Sequence, residues 1–242
     1  MFVLRRNDIL NEIRAQCVQE YSMIEDWVHG IEHINAVVLN GKTLAKMERL
    51  RSKDAFLLEI ACWLHDIGRI GEGVGLSAKQ SNHAEVSYWK SKKLLKRYER
   101  PLGRESVFKV LQAVREHSLP VLRHPDNQIN RLLLDSDRGA NLNVCGIFRM
   151  LNYMQLIETG PVYTVDHARE LLDRVFQELS VSKKKRLEAL DYLDVLRDWY
   201  YGNGKQKVSG VRVTALYSDS ARELYKEGIE EIEAFITRLR SV

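Results

Sequence analysis

Proline and glycine are scarce in this sequence: 4 prolines and 14 glycines in 242 residues, with the first proline at Pro101. Collagen-like repeats and disordered Pro/Gly-rich chains need far more of both, and so few chain breaks predict long helices. Cysteine is rare as well. Cys17, Cys62 and Cys145 are odd in number, far apart and without a CxxC pair, which suggests neither a disulfide framework nor a zinc ribbon and fits a reducing cytoplasm. No run of about 18 apolar residues occurs that could span a bilayer. The start, Met1 to Asp8, lacks an apolar core of signal length, so a cytoplasmic chain without a membrane segment is expected. Neither sign of charge dominates. With 37 basic and 33 acidic residues the net charge is +4, too mild for a strong nucleic-acid signal but suited to a phosphate-bearing ligand. Hydrophobic residues at 45% and charged residues at 29% describe an ordinary globular chain, long enough to bury a sizeable core.

What is present is helical periodicity. Ile9, Ile13, Cys17, Tyr21, Ile24 and Val28 recur every three or four positions from Asp8 to Val28, and a second helix carries Ile34, Val37, Val38, Leu44 and Met47. Residues 54–66 are apolar on nearly every face, the pattern of a helix at the centre of a bundle, and Gly68 ends them. Four glycines between 68 and 75 mark a loop, Asn82 with Glu85 reads as a capping box, and the helix they start should end before Pro101. Val107, Val110, Leu111 and Val114 define a fifth helix stopped by Leu119-Pro120. Leu133, Ala140, Val144, Ile147 and Leu151 define a sixth. Shorter helices over about 164–178 and 181–199, a polar turn at 201–210 and a last helix over 218–241 complete a chain with no strand of convincing alternation. The expectation is one all-α domain spanning residues 1–242, with the helices of about 155–242 packed on a main bundle.

Six of the seven histidines (His29, His33, His65, His83, His117, His124, His167) lie between 29 and 124. A lone histidine on an apolar face is most often a hydrogen-bonded core residue. Here the placement is collective. His65 and Asp66 close the most apolar helix, where a carboxylate loses several kcal/mol of hydration unless a metal ion or an arginine meets it. His117 continues the stripe of Val107, Val110 and Val114, and Asp137 stands in the stripe of Leu133, Ala140 and Val144 where leucine is expected. His33 faces inward one turn before Val37, with His29 a turn earlier, and His83 falls in the first turn of its helix, where the dipole favours neutral imidazole. Five helices each offering an inward imidazole or carboxylate point to convergence on shared cations. Imidazole and carboxylate without thiolate suit a catalytic divalent metal, Fe or Mn before Co, Ni or Mg, more than structural zinc.

The order His33, His65-Asp66, His83, His117, Asp137, with Leu-His-Asp-Ile-Gly-Arg at 64–69, resembles the HD-domain superfamily of metal-dependent phosphohydrolases over about residues 20–150. The resemblance implies a single-domain, all-α, HD-type helical bundle. It also implies one ion held by His33, His65, Asp66 and Asp137, and in members with two further histidines a second ion at His83 and His117, bridged by Asp66. One or two divalent ions are therefore expected. Asp135-Ser136-Asp137-Arg138-Gly139 departs from the family pattern by placing glycine where an apolar residue is usual, with Asp135 read as a support for Asp137. The Gly-Tyr-Pro signature of the cyclic-dinucleotide branch is absent, as is the glutamate that follows the His-Asp pair in deoxynucleoside monophosphatases.

The expected activity is hydrolysis of a phosphoester or phosphoanhydride in a small phosphorylated substrate, a nucleotide or a relative of one. Asp66 would orient the attacking water, Arg69 would bind a substrate phosphate, and His29 would protonate the leaving group or hydrogen-bond behind the ligands. Two rivals use the same residues: a di-iron oxygenase of HD type, and a non-catalytic metal-binding HD module. The basic run from Lys90 to Arg104, the run Lys183 to Arg186, and Trp199-Tyr200-Tyr201 read as surface or packing, and His124 and His167 as structural. Oligomeric state is not legible here.

Overall fold

The computed structural model describes residues 5–23, 29–69, 83–119, 122–160, 162, 164–202, 207–208, 211–212 and 216–242. The chain is all-α. Among the described residues the extended pairing consists of two-residue strands, β1 (Lys207–Val208) and β2 (Val211–Arg212), joined antiparallel. Two compact units emerge from the contacts, Met1–Asp137 and Arg138–Val242.

The first unit contains α1 (Arg6–Tyr21), α2 (Ile31–Met47), α3 (Ser52–Leu64), a 3-10 turn at Ile67–Arg69, α4 (His83–Leu95), α5 (Glu99–Leu102), α6 (Arg104–Glu116) and most of α7 (Gln128–Gly139). Ile9, Ile13, Cys17 and Tyr21, four residues apart on α1, form one buried stripe. Every residue of α3 from Ile60 to Leu64 is buried, as the lack of a polar face predicted. That helix packs against α1, α2 and α6, while α4 packs against α6 and the 3-10 turn. Burying each such aliphatic side chain stabilises the fold by about 1.5–3 kcal/mol.

The second unit contains α8 (Val144–Tyr153), α9 (Val165–Ser180), α10 (Lys183–Tyr201), α11 (Asp219–Leu224) and α12 (Lys226–Arg240). Its core draws Val175, Phe176 and Leu179 from α9, Leu193 and Leu196 from α10, and Ile229, Ile232, Phe235 and Leu239 from α12. Side-chain oxygens of Thr164, Ser182 and Ser218 accept hydrogen bonds from helix N-terminal amides and start α9, α10 and α11.

Some boundaries differ from the sequence reading. The sixth helix is two, because Asn143 takes extended backbone and its Oδ1 accepts from the Gly146 amide at 3.0 Å, starting α8 afresh. The last helix is also two, broken at Tyr225 between α11 and α12. The helix expected to end before Pro101 does so, α4 stopping at Leu95, and Pro101 itself sits in the first turn of α5, where its missing N–H has no intrahelical acceptor, before the chain turns at Gly103. Asn82, the glycine loop beyond Arg69 and Pro120 lie outside the described residues.

Candidate metal centre

The His65-Asp66 pair sits where α3 ends. His65 is the C-cap of that helix and Asp66 follows it into the 3-10 turn, so the helix stops one residue before the pair that was expected to close it. The turn is tied down from two helices by three hydrogen bonds. Tyr21 of α1 donates its hydroxyl to the Trp63 carbonyl (3.1 Å), Lys90 of α4 donates to the Ile67 carbonyl (3.1 Å), and the Gly68 amide donates to Ser87 Oγ of α4 (2.8 Å). Gly68 is glycine because α4 presses on it: a Cβ there would stand 2.4 Å from the His83 carbonyl oxygen. None of these supports was singled out in the sequence. The signal for one was there: the buried stripe His83, Ser87, Ser91, Leu94 places serine where leucine is usual, the mark of a close backbone approach.

Around this turn the other side chains gather. His33, in the first turn of α2, brings Nε2 to 3.1 Å from Oδ1 of Asp137 in the last turn of α7. His65 Nε2 stands 3.7 Å from the same Asp137 oxygen and 3.7 Å from Asp66 Oδ2. On the other side of Asp66, Oδ1 lies 3.2 Å from His117 Nε2 and 3.5 Å from His83 Nε2, and those two nitrogens are 3.2 Å apart. His117 is the C-cap of α6 and His83 opens α4. Five of the six expected ligands fall in two overlapping groups, His33/His65/Asp66 and Asp66/His83/His117, each with the spacing to hold an ion, and Asp137 joins them through His33 and His65.

Arg69 also turns into this cluster. Its Nε donates to Asp66 Oδ2 at 2.8 Å and its Nη2 lies 3.2 Å from His83 Nε2. His29 is placed differently from the expectation. Helix α2 begins at Ile31 after an extended N-cap at Gly30, so His29 precedes the helix and the one-turn spacing that put it over His33 does not apply. Asp135 is fully buried. Gly139 answers the departure in the family pattern, since the ring of Tyr225 fills the space a side chain would take, 1.9 Å from an added Cβ.

The donor chemistry fits a cation. His65 Nδ1 donates to the Cys62 carbonyl (2.9 Å), which leaves its Nε2 as a lone pair aimed inward, while His117 Nδ1 donates to the Val114 carbonyl (2.7 Å) and its Nε2 faces Asp66 Oδ1. His65 Nε2 is buried without a hydrogen-bond partner, a costly arrangement unless a ligand takes the lone pair. The C-terminal ends of α3 and α6 add negative dipole character where positive charge would sit. Burial alone would raise both carboxyls. For Asp66 the Arg69 guanidinium, then His65, outweighs burial and holds the group well below the usual range, and for Asp137 the His33 hydrogen bond does the same. Burial pushes the His83 imidazole down to about 3. His117, which burial would lower, is instead raised by its hydrogen bond to Asp66.

Glu116, buried beside His117, was not anticipated as a partner of His124. Its carboxylate accepts from the Arg123 amide (2.9 Å), the His124 amide (3.1 Å) and Asn130 Nδ2 (3.0 Å), and it pairs with the His124 ring. The basic run lies mostly at the surface, with Lys92, Lys93, Lys96, Arg97, Arg100 and Arg104 exposed; within it Lys90 bonds as above, Lys92 lies over the Trp89 ring and Arg97 over Tyr98. In the second unit Tyr200 donates to the Arg222 carbonyl and Trp199 lies under Arg138.

Comparison with known proteins agrees with this geometry. Residues 30–142 match the HD domain family, a stretch that contains all six ligands. A search of curated proteins found no match. Among solved structures, the chain resembles Bacillus subtilis YpgQ in complex with ADP (TM-score 0.54, 17% identity, 98% of this chain and 95% of that one). It also resembles selenomethionine YpgQ from the same organism (TM-score 0.52, 18% identity, 98% and 97%). At that identity the likeness speaks for the fold. No described helix is long and apolar enough to cross a membrane. Residues 30–142 thus match an HD domain, the mark of a superfamily whose members are generally metal-dependent hydrolases.

Proposed function

We propose that this chain is a metal-dependent phosphohydrolase that cleaves a phosphoester or phosphoanhydride bond in a nucleotide or a related small phosphate. The observation that carries the reading is the constellation of four buried imidazoles, the buried Asp66 and the half-buried Asp137 within residues 30–142. His33, His65, Asp66 and Asp137 would hold a divalent ion, Fe or Mn before Co, Ni or Mg given nitrogen and oxygen donors. Such an ion, when bound, polarises a phosphoryl oxygen and lowers the pKa of water toward neutrality. Asp66, held ionised, is placed to orient that water by accepting its hydrogen bond. Arg69, at 2.8 Å from Asp66, presents a planar fork suited to a phosphate oxygen at the same edge of the centre. The binding of ADP by the structurally similar YpgQ supports a nucleotide substrate for this chain, and the mild positive charge is compatible with it.

The test is release of phosphate or nucleotide from a panel of nucleotides, dinucleoside polyphosphates and small phosphoesters, with Mn, Co, Ni, Mg or anaerobic Fe(II). Metal-dependent release that Asp66→Ala abolishes is the expected result. Oxygen uptake by the ferrous protein without phosphate release, or no turnover by folded, metal-loaded protein, would overturn the reading.

A further inference from the structure

We infer that the N-terminal ends of α3 and α6 together form a binding site for an anion of the phosphate class, separate from the metal centre. The two helices run side by side in the same direction. Their C-caps, His65 and His117, meet at the centre, and at the other end their N-terminal turns line a cavity of about 370 Å³, with Ser52, Lys53 and Asp54 on one helix and Glu105, Ser106 and Lys109 on the other. Thirteen residues in each helix, at a rise of about 1.5 Å per residue, put this cavity about 20 Å from the metal ligands.

The sequence leaves both helix ends open. Arg51 precedes α3 and Gly103 precedes α6, and neither places a side-chain cap on the helix amides, where serine, threonine, aspartate or asparagine is the rule. Gly103 takes φ 85°, a backbone conformation that disfavours those residues. The Asp54 and Ala55 amides bond back to the Arg51 carbonyl and the Val107 amide to that of Gly103. The amides of Ser52 and Lys53 on α3, and of Arg104, Glu105 and Ser106 on α6, are left without an acceptor among the described residues. Two positive dipole ends therefore meet at one cavity.

A second observation points to a ligand. Ser106 is 2% exposed and lines the cavity, yet its hydroxyl has no hydrogen-bond partner among the described residues. Buried hydroxyls are in large majority bonded, and a ligand oxygen in the cavity would accept from this one. Charge agrees in sign. Asp54 and Glu105 are each bound by a cation of their own neighbourhood, Arg51 Nε at 2.9 Å and Lys109 Nζ at 2.8 Å. Lys53 is exposed and forms no ion pair with a described residue, although its charge reaches Glu105. Arg6 adds a cation at the start of α3, donating to Ser52 Oγ at 3.4 Å. Open amides, a free hydroxyl and an ammonium group suit the several oxygens of phosphate better than the two of a carboxylate.

The experiment titrates inorganic phosphate into the full, isotope-labelled, metal-free chain and follows amide proton-nitrogen correlation spectra, with sodium chloride at matched ionic strength as the control. Circular dichroism confirms that each variant is folded. The expected result is saturable shifts of the Ser52, Lys53, Glu105 and Ser106 amides that chloride does not reproduce. Ser106→Ala should weaken binding about tenfold, the loss of one hydrogen bond to a charged group, and Lys53→Glu should weaken it further. Arg69→Gln, at the opposite end of the helices, should leave it unchanged. No saturable shift at these amides, shifts equalled by chloride, or full affinity in either Ser106→Ala or Lys53→Glu would overturn the site. Shifts confined to residues 66–69, or lost in Arg69→Gln, would overturn it as well, placing phosphate at the metal centre and leaving the phosphohydrolase reading standing.

Discussion

In the second unit, α9, α10 and α12 bury Val175, Leu179, Leu193, Leu196, Ile232 and Phe235, and pairs such as Arg169–Glu231 and Arg240–Asp194 stay at the surface. In the first unit, helices of the same kind bury His33, His65, Asp66, His83 and His117 among their aliphatic residues. Helix packing does not require those groups, since the second unit assembles its helices around side chains without them. Burying ionisable groups opposes folding unless each finds a partner. Such a cluster is expected to oppose folding until a cation offsets it, and that is the physical reason to read it as functional.

Predictions sharpen this contrast. The largest effect is expected from removing a ligand. His65→Ala should lower metal affinity and phosphate release by more than about 100-fold, beyond the loss usual for a residue that merely supports a ligand, as measured by metal dialysis and turnover. Because the lone pair it deletes has no hydrogen-bond partner, which offsets part of the loss of the buried ring and its bond to the Cys62 carbonyl, it should cost the metal-free chain less than a core leucine does in denaturant titration. A drop as large as that for a core leucine would break the comparison. In the second unit the reverse holds: Leu193→Ala should destabilise by about 2–5 kcal/mol, with metal bound per folded chain unchanged. Gly68→Ala lies between the two. Its methyl would overlap the His83 carbonyl oxygen, so a loss of about 1–3 kcal/mol is expected, together with weaker metal binding as the turn shifts.

The smallest effect concerns pH. The His83 imidazole is depressed by burial from 6.5 to about 3. Between those values the unfolded chain takes up a proton that the folded chain refuses, so stability falls as pH drops from 6.5 toward 3. His117 acts oppositely. Its pKa is raised against burial by Asp66, so its contribution is complete below 6.5 and fades as pH rises through its folded value. Denaturant midpoints at pH 4, 5 and 6.5 should show a shallower acid slope in His83→Ala than in the unmodified metal-free protein. An identical slope would contradict the assignment of a depressed pKa to this residue.

Much of this was legible in the sequence, for reasons that differ by residue. The stripe Ile9, Ile13, Cys17, Tyr21 and the all-apolar α3 announced themselves because helical periodicity and burial are local properties of the chain. The histidines and aspartates that meet at the centre were identifiable because His33, His117 and Asp137 stand on apolar helix faces, His65 and Asp66 close the most apolar helix and His83 opens a helix. His29 was misplaced by extrapolating that periodicity past the point where Gly30 begins the helix. The division between α7 and α8 was missed because Ala140 and Val144 continue the apolar spacing while Asn143, a cap, breaks the backbone between them. The supports from Tyr21, Ser87 and Lys90 depend on which helices lie across the turn at Trp63 to Gly68, a tertiary fact with only the serine stripe to hint at it. The inward turn of Arg69 was half visible: a buried Asp66 demanded a metal ion or an arginine, and the structure supplies the arginine at one of its oxygens.

The central claim is that His33, His65, Asp66 and Asp137 share a divalent ion. Anomalous diffraction at the manganese edge, from crystals grown with Mn(II), tests it most directly. The account predicts a peak among His33 Nε2, His65 Nε2 and the Asp66 and Asp137 carboxylates, within about 2.0–2.3 Å of the donors. A manganese peak elsewhere on the chain, with these four side chains left bonded only to one another, would contradict it.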